Sequence, residues 1–483
     1  MGLNNNHLPI IFAPLENYGY RGNHALWQMM QETLSSTSFA MTAEQLVAWA
    51  VQFTQQQIVN SLWQEKIEQN INGTKWYFTR FTEADWIDCD ESLHGDSEAM
   101  NAFLFESLNN CIGSLLSDKQ ATGYIRVNAF NRGGMSGGGF ALDNWHTIML
   151  PTLCARARQL EAGLVFAEKH QCKTLHFIGD LHGRADKLDA LLTELGERAE
   201  HQKLVFVGDL VDNYSDEKTE HLALLHRVKN KVERGEAFCL LGNHELNAIG
   251  WFMRKESGEP CRPHTEKNRK QHLQFLEQVK EGSVVHQEWI EWFKTLPLYL
   301  NFGSVIAIHA CWHQPSIDKL TPYLNDDNSL KSEHWQNAFD DNHDLCHLLT
   351  TLLKGPEASL PEGHYFFDRN GIKRNVARIA WWKDNIASYN ELFVGINPNA
   401  TEIPAMCIGH DVAHYNAKPC VPVVIGHYSL PMEDKPRKIA SRVACVDLKA
   451  ANQKSVLASL SVTVDTWPEN LDNVLDDEMF YVV

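Results

Sequence analysis

Apolar runs that stop abruptly at small and polar residues recur through the second half of this chain. TLHFIGD (174–180), KLVFVGD (203–209) and AFCLLGN (237–243) are the clearest, and each predicts a buried strand whose last residues leave the sheet. SVIAIHA (304–310), VPVVIGH (421–427), RVACVDL (442–448) and SVLASLSV (455–462) repeat the pattern. Between strands the period lengthens. In RADKLDALLTELGERA (184–199), Leu188, Leu191, Leu192 and Leu195 fall on one face, which predicts a helix covering a sheet. Strand, loop, helix, strand is the rhythm of an α/β domain, here over residues 170–465. Two long insertions, about 250–298 and 313–400, interrupt it. The first is polar and helical, and the second carries the Pro- and Gly-rich LKGPEASLPEGH (353–364). Insertions of that size tend to form lids or substrate walls.

The pattern before residue 165 is different. Residues 24–70 read as helical, with Leu46, Trp49, Phe53 and Ile58 near a helical period, and Met100 to Leu116 predicts another amphipathic helix. TKWYFTRFT (74–82) and GYIRVNAF (123–130) read as strands. Residues 1–165 are therefore expected to form a separate α+β N-terminal domain, and residues 466–483, from Glu469 to Glu478 in particular, a solvated acidic C-terminal tail.

Composition narrows the class. A chain of 483 residues with 44% hydrophobic and 22% charged residues can bury more than one core. Its formal charge of −18 argues against a broad nucleic-acid footprint. The 11 cysteines include no CxxC pair and are odd in number, so reduced thiols in a cytoplasmic setting are expected, not a disulfide framework. The short, proline-broken apolar stretch from Leu8 to Leu15 is no signal peptide, and no run is long enough to span a bilayer. Gly2 lacks the Ser or Thr of a myristoylation signal at Asn6, and the sequons at Asn72 and Asn399 carry no weight in that compartment.

The polar ends of the strands carry the candidate chemistry. IGDLHG (178–183), VGDLVDN (207–213) and LGNHE (241–245) supply Asp180, His182, Asp209, Asp212, Asn243 and His244. Ligands gather at strand ends in open α/β sheets. Carboxylate, imidazole and amide oxygen together suit two divalent cations of intermediate hardness. Asp180 and His182 can share one cation, with Gly179 and Gly183 permitting the turn; Asp209 is placed to bridge; Asn243 adds a neutral oxygen to the second cation. His309 and His427, each following an apolar strand, are the candidate remaining imidazoles. His410 in CIGHDV competes with His427 for the last position, and the longer apolar run before His427 favours the latter.

With GDLHG, GDLVDN and GNHE in this order, residues 173–465 resemble the calcineurin-like metallophosphoesterases. Within them the resemblance is to the phosphoprotein-phosphatase and diadenosine-tetraphosphatase branch, and to a bacterial group sharing stretches like RPHTEKN (262–268), IHACW (308–312), LLKGPE (352–357), IGHY (425–428) and ACVDL (444–448). The resemblance implies a four-layer α/β/β/α metallophosphoesterase sandwich. It implies Asp180, His182 and Asp209 at one metal, and Asp209, Asn243, His309 and His427 at the other. His244 would stand beside the leaving-group oxygen with Asp212 orienting it. The implied cofactors are two divalent ions, manganese first, with iron, zinc or nickel also accepted by such ligands. The implied reaction is hydrolysis of a phosphate monoester, as in a phosphoprotein phosphatase, by a hydroxide shared between ions ~3.5–4 Å apart. Nucleotide or dinucleoside-polyphosphate hydrolysis is the alternative, and a regulatory protein whose N-terminal domain binds a partner is another. The expected partner is thus a phosphorylated substrate, protein or small molecule, with no membrane and no nucleic acid.

One departure stands out. The family's second motif ends Asp-Arg-Gly, and here it ends Asp212-Asn213-Tyr214. Asparagine cannot grip phosphate with a charged fork. Asn213 thus marks a substrate-binding position in need of another cation, and Arg184 and Arg254 are the candidates. RGGMSGGGF (132–140) has the G-x-S-x-G form of a nucleophile elbow around Ser136, but glycines replace the helix that should follow, so it reads as a loop. HGD (94–96) reads as a solvated acidic loop, and Trp381 and Trp382 as packing for the insertion.

Overall fold

The computed structural model describes residues 2–13, 21–64, 67–71, 74–78, 96–127, 139–196, 201–213, 219–367, 373–383, 386, 388–394, 419–430, 435–452, 454–464 and 471–483. The chain divides into two compact units, Met1–Leu164 and Val165–Val483.

In the first unit, helices Arg21–Ser35 (α1) and Ala43–Gln64 (α2) precede a hairpin of Ile67–Ile71 (β1) and Thr74–Phe78 (β2). Helix Ser97–Ser117 (α3), strands Gly123–Arg126 (β3) and Gly139–Ala141 (β4), and helix Leu150–Lys169 (α4) follow. The sheet runs β2-β1-β3-β4, all antiparallel. The helix expected to continue to residue 70 gives way to β1, whose polar centre, Glu68 to Asn70, pairs with Lys75, Trp76 and Tyr77. Cross-strand partners override the local pattern there. Asp96, in the HGD segment, caps α3 by accepting from the Glu98 N–H at 2.8 Å. Residues 79–82 and 128–130 of the two expected strands, Ser136 and the two sequons lie outside the described residues.

The second unit begins with Thr174–Ile178 (β5), Ala185–Leu195 (α5), Gln202–Phe206 (β6), His221–Glu233 (α6), Ala237–Cys239 (β7) and Asn243–Phe252 (α7). The first insertion adds helices Glu266–Val279 (α8) and Val284–Lys294 (α9). Then come Tyr299–Asn301 (β8), Ile306–Ile308 (β9), helix Asp344–Lys354 (α10), the ribbon of Glu357–Ser359 (β10) and Val376–Arg378 (β11), Val423–Ile425 (β12), Val443–Cys445 (β13), Ala458–Thr463 (β14) and Phe480–Val482 (β15). One sheet is ordered β15-β14-β5-β6-β7, the other β8-β9-β12-β13. Strands β5, β6 and β7 are parallel, as are β9, β12 and β13, so each sheet has three neighbouring strands ending at the same edge. Their residues are almost wholly buried and near-continuously apolar, as strands covered on both faces must be.

Residues 471–483 are not a free tail. Phe480–Val482 pairs antiparallel with β14, and Val474 and Leu475 are buried. Acidic Asp476, Asp477 and Glu478 stay at the surface between the buried Val474 and Leu475 and the edge strand that follows. Among the described residues no helix is long and apolar enough to cross a membrane.

Candidate metal centre

The loops leaving the parallel edges of the two sheets meet. His309 follows β9 directly, and its Nδ1–H donates to the carbonyl of Val207 beyond β6, at 2.7 Å. Gly426 N–H donates back to the His309 carbonyl at 2.9 Å, and His427 N–H donates to Asp180 Oδ2 at 3.0 Å. A Cβ on Gly426 would fall 2.1 Å from Asp180 Oδ1, so only glycine permits this approach. Four of the converging residues, His182, Asp209, Asp212 and His427, hold positive φ of 46°, 53°, 67° and 68°. Strain of this kind in non-glycine residues gathers at functional sites and is held there by surrounding contacts.

Those contacts centre on Glu245. Its carboxylate accepts from the N–H groups of Asp209 (2.9 Å), Leu210 (2.8 Å), Val211 (3.2 Å) and Gly242 (3.0 Å), fixing the GDLVDN loop to the start of α7. Asp209 Oδ1 in turn accepts from His244 N–H at 2.9 Å.

Ligand atoms of His182, Asp209 and His244 lie within 4.8 Å of one another, and so do those of Asp209, His309 and His427. Asp209 belongs to both groups. Asn243 completes the second: its Oδ1 lies 3.0 Å from His309 Nε2 and 2.6 Å from His427 Nδ1. The carbonyl of Val207 holds the proton on His309 Nδ1, so Nε2 presents a lone pair to an amide oxygen. Two acceptors facing each other repel unless a proton or a metal cation lies between them, and Asp209 beside the ring raises His309 against the cost of its burial. Turning the amide over would aim its nitrogen at His309 Nε2, Asp209 Oδ2 and His427 Nδ1, three neighbours for two hydrogens. His182 is oriented in the same way as His309, its Nδ1–H donating to the Val211 carbonyl at 3.1 Å and its Nε2 left for a ligand. Asp180 is in neither group, but its Oδ1 is buried with no hydrogen-bond partner among the described residues. These donors fit a pair of divalent cations.

The electrostatics point the same way. Burial, then the carboxylates of Asp447 and Asp209, push Asp180 well above the usual range. Burial, with Asp209 beside it, raises Glu245 to about 7. Asp209 is held well below the carboxylate range because His309 and His244 outweigh the cost of its burial. Such a concentration of buried acids is costly without cations to offset it.

His244 is 8% exposed and stands at the rim of the first group. Its Nδ1 lies 2.9 Å from Asp212 Oδ2, and its Nε2 lies 3.8 Å from Asp209 Oδ2. Burial opposes its charge, but Asp209 and the Asp212 hydrogen bond prevail and push it up to about 9.

The model of the calcineurin-like phosphoesterase family matches residues 173–374, which carry Asp180, His182, Asp209, Asn243, His244 and His309. These residues form a calcineurin-like phosphoesterase domain. Relatives of this domain include the asymmetrical bis(5'-nucleosyl)-tetraphosphatase of Oceanobacillus iheyensis, 26% identical over 144 residues, or 28% of this chain and 54% of that protein. The symmetrical bis(5'-nucleosyl)-tetraphosphatase of Ralstonia nicotianae is 28% identical over 172 residues, 34% of this chain and 52% of that protein. The chain thus spans about half the length of the curated relatives it matches. A solved protein serine/threonine phosphatase from Saccharomyces cerevisiae aligns with 67% of this chain and 88% of its own at 13% identity, with a TM-score of 0.35.

Asn213 and Arg184 each have partners within the phosphoesterase domain. Asn213 Nδ2 donates to the carbonyls of His182 and Ala451, both at 3.2 Å, so the amide ties loops together. Arg184 is buried and forked onto Asp186, at 2.8 and 2.6 Å. Arg254 is exposed and its backbone pairs with Pro260. Between the competing histidines, His427 lies in the centre, and His410 falls outside the described residues. Trp381 and Trp382 pack the insertion: Trp381 Nε1–H donates to the Ala310 carbonyl at 3.0 Å, and the Trp382 ring meets Tyr428 at 4.6 Å.

Three supporting residues escaped the sequence reading. Glu245 lay within a recognised motif but had no role assigned. His272, on α8, bonds Asp212 Oδ1 through Nδ1, so that one carboxylate joins two imidazoles. Asp447, after β13, accepts from Ser429 N–H (2.6 Å), Ser429 Oγ (2.9 Å) and Lys449 N–H (3.0 Å), which pins the loop carrying His427. The ACVDL segment was the only available signal for Asp447, and a helical period alone cannot reveal which element His272 faces.

Proposed function

We propose that this chain is a metal-dependent phosphoesterase that hydrolyses phosphate monoesters, phosphoproteins among them. The observation that carries the reading is the Asn243 amide set among His309 Nε2, His427 Nδ1 and Asp209 Oδ2, beside the His244–Asp212 pair. Asp180, His182 and Asp209 would hold one cation, and Asp209, Asn243, His309 and His427 the other. When bound, such a pair supplies a nucleophile from water near neutral pH and neutralises charge on the phosphoryl oxygens. His244, fixed through Nδ1 by Asp212, directs Nε2 into the site and gives its proton to the departing oxygen. His272 holds the other oxygen of Asp212 and so fixes the orientation of the pair. Glu245 and Asp447 keep the ligand loops in place. Manganese is the proposed occupant, because this mixture of imidazole, carboxylate and amide oxygen suits an ion of intermediate hardness, although iron, zinc and nickel share the preference.

We further take the two sheets of the second unit as the inner layers of a four-layer sandwich. The Met1–Leu164 unit is read as an accessory domain that selects substrate or a protein partner. A cytoplasmic location agrees with the nine described cysteines, all free thiols and mostly buried.

The names of the relatives favour a second reading, hydrolysis of nucleotides or dinucleoside polyphosphates. A phosphate-release screen with added Mn²⁺ across phosphopeptides, para-nitrophenyl phosphate, nucleotides and dinucleoside polyphosphates separates the two. The proposal expects the highest kcat/KM on a monoester. A clear preference for dinucleoside polyphosphates would select the second reading, and no release from any substrate would remove both.

A further inference from the structure

Helix α8 meets the His244–Asp212 pair with two consecutive side chains. His272 Nδ1 bonds Asp212 Oδ1, and the amide nitrogen of Gln271 lies 3.3 Å from His244 Nδ1. Neighbouring residues of a helix project about 100° apart, so the pair is straddled, one side chain on the carboxylate and one on the ring. Both side chains are buried. Arg262, in the RPHTEKN stretch, sets the amide. Its Nη2–H donates to Gln271 Oε1 at 2.8 Å, so the nitrogen end of the amide must face the ring. The Nδ1 proton of His244 already goes to Asp212 Oδ2 at 2.9 Å, a charged acceptor that outweighs any neutral partner. The Gln271 amide therefore packs against Nδ1 without taking its proton, where water could otherwise compete for Asp212.

The helix is held in this position from both sides. Gln274 Oε1 accepts from Thr219 N–H at 3.2 Å, and Gln278 Nε2–H donates to the Thr219 carbonyl at 2.8 Å. Glu281 Oε1, just past α8, accepts from Trp251 Nε1–H at 2.9 Å, and Trp251 lies two turns beyond His244 on α7. Phe275, Leu276 and Val279 give the later turns of α8 an apolar seat, whereas its approach to the acid pair is polar. A buried amide is costly unless its polar atoms are used. Gln271 spends its oxygen on Arg262 and turns its nitrogen to His244.

We propose that Gln271, set by Arg262, is a positioning residue for proton delivery: it keeps water from the His244–Asp212 bond and His244 Nε2 aimed at the departing oxygen. This rests on the phosphoesterase reading and makes the first insertion a working part of the acid. Gln271 itself neither gives nor takes a proton. Its effect should scale with the leaving group's need for one. A departing alkoxide needs a proton far more than para-nitrophenolate does.

The test compares benzyl phosphate with para-nitrophenyl phosphate, esters of similar size and different leaving group, on the full-length, Mn²⁺-loaded protein. Gln271→Ala should lower kcat at least about tenfold more on benzyl phosphate than on para-nitrophenyl phosphate, with KM near the parent value for both. Arg262→Met should show the same selectivity more weakly, and should add less than about threefold in the Gln271→Ala protein. A second readout needs no turnover. In Zn²⁺-loaded protein with ¹⁵N-labelled histidine, the His244 Nδ1–H resonance should exchange with water faster in Gln271→Ala, while that of His272 holds. Equal loss on both esters, an effect confined to KM, or unchanged exchange at His244 would overturn the proposal. Faster exchange in a protein that hydrolyses no phosphoester would leave Gln271 positioning His244 and remove the proposed reaction.

Discussion

His244 is where the account makes its sharpest demand on a single side chain. Asp212 holds Nδ1 at 2.9 Å, which leaves Nε2 as the only ring atom able to deliver a proton. His244→Gln should lower kcat by about 10²–10⁴ while metal content stays at the parent level, as steady-state kinetics and metal analysis on the same samples would show. Loss of metal together with activity would instead make His244 a ligand, a role its place in the first cluster allows. Two other imidazoles make a pH prediction. Burial lowers His221 and His286 to about 4 in the folded chain, against 6.5 when unfolded. Between pH 6.5 and about 4 the unfolded state therefore binds more protons, and stability falls as pH falls through that window. Urea midpoints should show the decline, and His286→Phe, whose ring still packs between Phe252 and Phe275, should flatten it. At this scale the sequence was most legible where a side chain follows a strand end. Asp180, Asp209, Asn243, His309 and His427 could all be named from their motifs. His272 could not, because nothing in α8 tells that its one histidine reaches Asp212.

Elements show why the ligand loops can be so strained. The expected seven-residue strands around His309 and His427 shrink to three, Ile306–Ile308 and Val423–Ile425, because their last residues turn out of the sheet toward the centre. Periodicity locates a strand but does not reveal the residue at which the backbone leaves it. Glu245 compensates at the neighbouring edge by accepting from four buried N–H groups. Glu245→Ala leaves those donors without a partner and should cost more than about 3 kcal/mol in chemical denaturation, whether or not metal is present. A change below about 1 kcal/mol would mean the loop holds itself. The acidic end of the chain was misread for a related reason: charge suggested solvent, but the aromatic and β-branched Phe480–Val482 pairs its backbone with β14 as an edge strand.

Across the whole molecule, the second unit is built around a cluster of buried acids and imidazoles that few apolar contacts could justify. On the metal-dependent reading, cations belong to its stability as well as its chemistry. Chelation should lower the melting temperature and added Mn²⁺ should restore it, by the mass action of a ligand that binds only the folded state. An unchanged melting curve would argue that the carboxylates are neutralised by protons alone. The division of the chain and the α/β character of its second part were legible from the change in hydrophobic rhythm near residue 165. The contribution of the first insertion was not, since only the folded chain brings His272 onto Asp212. The most direct test of the central claim is phosphate release by metal-stripped protein titrated with Mn²⁺. Release should be absent at first, level off near two ions per chain, and stay absent in Asp209→Asn at matched concentrations. Hydrolysis that persists without metal, or that levels off at a single ion in both proteins, would contradict it.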